Sequence, residues 1–94
     1  MEYKLLDGVA LATVCAENLL VATQKASEKV PAIKELNETG AFVWRMLEQG
    51  ESLAEMTAKT AAEYEISSEE ARDGILGFIK ALQSAGYVTE QGDV

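Results

Sequence analysis

The junction Leu36-Asn37-Glu38-Thr39-Gly40-Ala41-Phe42-Val43-Trp44 constrains the fold of this chain more than any other stretch. Here an extended segment has to stop and a helix has to start within about two residues. Asn37 is a strong N-cap, because its side-chain oxygen accepts from the unpaired N–H groups of a first helical turn. Leu36 precedes the cap and faces Ala41 in the position of a hydrophobic staple, which fixes the entry angle of the chain. Gly40, Val43, Trp44 and Leu47 then recur at helical spacing on one face. A strand that turns sharply into a helix is the direct reading.

The periodicities on either side of this hinge differ. From Val9 to Thr23 small and apolar residues alternate, with Val9, Leu11, Thr13 and Cys15 set against Ala10, Ala12 and Val14, and Leu19–Thr23 is again β-rich. Two strands are predicted, with the turn at Glu17-Asn18. Residues 24–30 are polar and form a loop. Pro31 cannot donate a ladder hydrogen bond, so a strand over Ala32–Leu36 belongs at a sheet edge. Beyond the hinge the spacing predicts helices over about 38–49, 53–64 and 68–85. Gly50 stops the first, Ser52 with Glu55 makes a capping box for the second, and Ser67 with Glu70 opens the third. The third carries the most regular stripe, Ala71, Ile75, Phe78, Ile79, Leu82 and Ala85, before a Gly86 cap. Glu55, Lys59 and Glu63 are expected to pair on the outside of the second helix. Tyr87-Val88 is expected to fold back on the bundle, and Glu90–Val94 to fray. These patterns describe one small α+β domain over residues 1–94, with strands within 9–36.

Composition removes whole classes of chemistry. The 94 residues contain no histidine and one cysteine, which argues against a zinc or haem site and against Ser-His or Cys-His catalysis. No cofactor is expected, and no spacing singles out a carboxylate pair. No stretch is long enough to span a bilayer and Met1–Leu20 shows no basic-then-apolar leader pattern, so a soluble cytoplasmic protein is expected. Residues 1–34 balance four bases (Lys4, Lys25, Lys29, Lys34) against four acids, and residues 35–94 hold the whole net charge of −8. So acidic a helical half repels phosphate backbones, which argues against nucleic acid and suits a basic peptide or a basic patch on an enzyme.

The junction nonapeptide resembles the PqqD-type peptide chaperones, named after pyrroloquinoline-quinone biosynthesis protein D. Their domain is also called the RiPP recognition element, after ribosomally made, post-translationally modified peptides. The family pattern runs Leu-Asn-x-Thr/Ser-Ala/Gly-x-x-Ile/Val-Trp and then a helix ending in Gly, which residues Leu36 to Gly50 follow. The likeness continues to about Val88 through the second helix, the Ser-capped third helix and the closing Gly86-Tyr87-Val88. It implies a small three-stranded antiparallel sheet followed by a three-helix bundle, similar to a winged helix. It also implies a non-catalytic protein that binds the leader of a precursor peptide along its third strand and presents it to a modifying enzyme. That enzyme is a radical S-adenosylmethionine protein or, in lasso-type pathways, a peptidase-cyclase.

Carried onto this chain, the groove comprises Ala32, Ile33, Lys34, Glu35 and Leu36 on the strand, with Arg72, Leu76, Ile79, Lys80 and Gln83 on the third helix. The strand lacks the aromatic residues common in the family before Leu-Asn, and the loop over 24–30 is longer. Its register is therefore open, and a one-residue slip exchanges Ile33 and Lys34 between faces. The acidic face around Glu48, Glu55 and Glu63 is the candidate for contact with the enzyme. Two other readings stand beside this one. Glu51-Ser52-Leu53 is similar to the Asp-Ser-Leu of acyl carrier proteins, in which the serine bears phosphopantetheine. An acidic winged-helix interaction module unrelated to peptide modification is the other.

Overall fold

The computed structural model describes residues 2–91, and its elements follow the predicted order with additions at both ends. They are β1 (Glu2–Leu5), β2 (Val9–Val14), β3 (Glu17–Ala22), β4 (Ile33–Leu36), α1 (Glu38–Glu48), α2 (Leu53–Tyr64), α3 (Ser68–Ala85) and β5 (Val88–Gln91), with one turn of 3-10 helix at Ala26–Glu28. β2, β3 and β4 form an antiparallel sheet in that order, so β4 is an edge strand. The architecture is the expected α+β arrangement of a three-stranded sheet and three helices.

The β2–β3 turn differs from its expected place. It is formed by Cys15 and Ala16, both at positive φ (50° and 66°), and Val14 stands opposite Glu17. Two left-handed residues make the turn whose twist matches the flanking strands. Cys and Ala are poor formers of that conformation, so nothing in their identity marks the turn. Glu17 and Asn18 therefore lie inside β3, where the Asn18 Oδ1 accepts from the Thr13 hydroxyl at 3.0 Å.

A second, two-stranded sheet corrects the expected frayed tail. β1 pairs antiparallel with β5, Leu5 opposite Val88 and Glu2 opposite Gln91. Glu90 and Gln91 are therefore strand residues, while the rest of the predicted tail, residues 92–94, lies outside the described residues. Tyr87, which leads into β5, is fully buried, and its ring meets that of Trp44 edge-on at 6.3 Å. These two aromatics join the helices to the closing strand in a core that also takes Leu20, Leu36, Met56, Ile75, Ile79 and Leu82.

Each helix begins on the side chain that the sequence nominates. Asn37 Oδ1 accepts from the Gly40 N–H at 2.7 Å. Ser52 and Glu55 form the reciprocal box, with the Ser52 hydroxyl accepting from the Glu55 N–H at 3.1 Å and the Ser52 N–H donating to Glu55 Oε1 at 2.8 Å. Ser67 accepts from the Glu70 N–H at 3.1 Å. α3 ends at Gly86 with φ 93°, and the Gly86 and Tyr87 N–H groups donate back to the Gln83 and Leu82 carbonyls. Lys59 does not pair along its helix as expected. Its Nζ meets Glu51 Oε1 at 2.8 Å, a carboxylate held in the connection before α2.

Candidate functional site

The register of β4 determines what its open edge offers. The Ala22 N–H donates to the Ala32 carbonyl at 2.9 Å, and the Cα partners continue as Val21/Ile33, Leu20/Lys34, Leu19/Glu35 and Asn18/Leu36. Antiparallel pairs alternate between bonded and non-bonded, so Lys34 and Leu36 direct their backbone groups at β3. The N–H and C=O groups of Ile33 and Glu35 point the other way, to the edge where no described strand pairs. Side chains alternate with the same period. Lys34 shares the inner face with Leu20 and Leu36, whereas Ile33 and Glu35 share the outer face with Val21 and Leu19. This resolves the open register: Ile33, 62% exposed, stands on the outer face of the sheet.

α3 and the glycine that ends it approach the chain on either side of β4. A Cβ added to Gly40, just after the hinge, would sit 3.0 Å from the Phe78 ring, and one added to Gly86 would sit 3.6 Å from Val30. α3 thus accompanies the chain from the β4–α1 junction, at Phe78, back to the start of the β4 segment, at Gly86. Helical period places Gly74, Phe78 and Ala81 on the flank turned to the junction. A cavity of about 340 Å³ opens there, lined by Asn37, Gly40, Val43, Thr60, Gly74 and Phe78 among others. Its wall is largely apolar, and Thr60, 3% exposed, contributes a hydroxyl with no hydrogen-bond partner.

The residues carried over from the resemblance fall in three places. Ala32, Ile33, Lys34 and Glu35 are exposed along the edge segment. Leu36 and Ile79 are core residues, 7% and 2% exposed, and contribute packing rather than open surface. Arg72, Leu76, Lys80 and Gln83 lie about 120–160° around α3 from Phe78, at 100° per residue. Leu76 and Gln83 are half-buried there and Arg72 and Lys80 are exposed. From the other flank of α3, Gly74 and Phe78 line the cavity beside the junction. A signal for this flank exists in the sequence: Gly74 and Gly77 interrupt a long helix, and each costs about 1 kcal/mol relative to alanine. A Cβ at either position would meet nothing within 4 Å, so close packing within the chain does not account for them.

Other candidate chemistry is absorbed by structure. The Ser52 hydroxyl is engaged in its cap, and the hydrogen bonds from the Ser52 N–H and hydroxyl side, with Lys59 nearby, hold the Glu55 carboxyl below its ordinary value. Cys15 is exposed in its turn. Among the described residues no group of three or more His, Cys, Asp or Glu side chains is placed to hold a metal ion. Among them, too, no helix is long and apolar enough to cross a membrane.

A three-stranded antiparallel sheet with an open β4 edge and three helices makes the molecule an α+β domain whose edge has the geometry that strand addition uses. Its family follows from sequence: the profile of PqqD, described as coenzyme PQQ synthesis protein D, matches residues 26–88, and the chain belongs to that family. Two solved structures share the fold. One, described as TbiB1 in complex with the TbiA(beta) leader peptide, is 23% identical with a TM-score of 0.76, over 96% of this chain and 99% of that one. The other, a lasso peptide synthetase B1 complexed with the leader peptide, is 21% identical with a TM-score of 0.78, over 96% and 100%. No curated protein sequence matches the chain.

Proposed function

We propose that this chain is a non-catalytic, cytoplasmic peptide-binding protein that captures the leader of a ribosomal precursor peptide and presents it to a modifying enzyme. The observation that carries this reading is the outward pair of backbone groups at Ile33 and Glu35, on an edge that no described strand covers, in a PqqD-family chain. A guest strand takes its affinity from those main-chain hydrogen bonds and its register from side chains alternately entering the groove. The α3 residues Arg72, Leu76, Lys80 and Gln83, and the cavity lined by Gly74 and Phe78, are the candidate walls that read those side chains. That both solved neighbours are described with a leader peptide supports the same reading.

The mechanism is proximity. Holding the leader raises the local concentration of the attached core peptide at the enzyme without new chemistry in this chain. The enzyme, of the radical S-adenosylmethionine or peptidase-cyclase type, meets a separate surface. The exposed acidic residues Glu48, Glu55 and Glu63 supply it. Titration with the leader of a short precursor peptide encoded beside this chain tests the proposal. Binding should be lost in Ile33→Pro and weakened in Ile33→Asp, and unchanged affinity in both removes the edge from the mechanism. Incubation with coenzyme A and a phosphopantetheinyl transferase should leave the protein's mass unaltered, whereas a mass gain at Ser52 selects the carrier alternative.

A further inference from the structure

We propose that a basic cavity at the end of the groove is a second subsite for the same guest and takes a carboxylate-rich segment downstream of the bound strand. The inference rests on the leader reading above. A cavity of about 460 Å³ is lined by Lys4, Lys25 and Lys29 together with Asp7, Gly86 and Thr89. Three lysines and one aspartate are among its lining residues, in a chain whose net charge is −8. Among the described residues none of the three lysines makes an ion pair; the pair that forms is Lys59 with Glu51, elsewhere in the fold. Like charges gathered without partners around a concavity raise the local concentration of anions.

The bland role for such lysines is to neutralise the C-terminus of α3. That demand is already reduced, because the Gly86 and Tyr87 N–H groups cover the Gln83 and Leu82 carbonyls. Position assigns the ligand. A guest pairing antiparallel to β4 enters at the Leu36 end and leaves at the Ile33 end. The next residues of this chain on that side are Ala32, Pro31, Val30 and then Lys29, and Val30 lies against Gly86. The departing peptide therefore passes from an apolar groove to a basic rim. The expected ligand is a short run of Asp and Glu, bound by exposed and salt-sensitive contacts.

The test uses the full ¹⁵N-labelled chain and hexaglutamate as probe, at low and at physiological ionic strength. Shifts should concentrate at the Lys25, Lys29, Gly86 and Thr89 amides and shrink as salt is added. The Lys25→Gln/Lys29→Gln double variant should keep the wild-type thermal midpoint and bind about tenfold more weakly, as expected for two exposed ion pairs. Shifts spread evenly over Lys34, Lys59 and Lys80, or affinity indifferent to the double variant, overturn the subsite. Inorganic phosphate, run as a second probe, should bind far more weakly than hexaglutamate; equal binding makes this a small-anion site and overturns the peptide assignment. A leader that binds through Ile33 while hexaglutamate leaves Lys25 and Lys29 unmoved also overturns the subsite, but leaves the edge mechanism standing.

Discussion

Tyr87 shows how single residues here combine packing with unmet polarity. It is fully buried against Trp44, yet its hydroxyl has no hydrogen-bond partner, and neither has Trp44 Nε1. A buried donor left unpaired costs about 1–3 kcal/mol. Removing the oxygen while keeping the ring should therefore not destabilise: Tyr87→Phe is expected to melt at or above the wild-type temperature, and a fall of several degrees contradicts this. Burial also raises the phenol above its ordinary value of 10.0. Because the folded state disfavours the phenolate, stability is constant below that value and falls as pH rises through it toward the folded-state value. Thermal melts across that alkaline window should show a drop that Tyr87→Phe reduces. At this scale local rules were readable in advance: Asn37, Ser52 and Ser67 cap the helices that follow them. Lys59 was not, because its partner Glu51 lies in an irregular connection rather than one turn away on the helix.

Among the elements, β4 and α3 carry the site, and each makes a prediction that separates stability from binding. The backbone of Ile33 points outward and that of Lys34 inward. Proline removes one N–H wherever it is placed. Ile33→Pro should therefore cost the guest while largely sparing the fold, whereas Lys34→Pro should break a ladder bond to β3 and lower the melting temperature as well. Equal stability loss in both variants contradicts the register. On α3, Gly74→Leu should raise helix stability by roughly 0.5–1 kcal/mol. The same change fills the groove, so leader affinity should fall as the melting temperature rises; unchanged affinity places the guest elsewhere. The edge position of β4 was legible from Pro31, and the helix spans from period and caps. The β1–β5 pair was not, because it joins strands 80 or so residues apart through short, weakly alternating segments whose partnership is wholly non-local. The α3 wall of the groove was less legible, because flanking the core stripe leaves two sides of the helix that share one helical period.

The whole molecule is acidic, with a net charge of −8, and β4 is one of its unpaired strand edges among the described residues. Exposed strand edges offer unpaired N–H and C=O groups as a template for pairing with another chain. The acidity of the helical half keeps copies apart and leaves the main-chain edge as the place of attachment. Amide hydrogen exchange of the free and leader-bound protein tests this most directly. The Ile33 and Glu35 amides should exchange readily in the free protein and become strongly protected once the peptide is bound, with the Lys34 amide protected in both states. Protection that leaves Ile33 and Glu35 unchanged, or that appears on β2 instead, contradicts strand addition at β4.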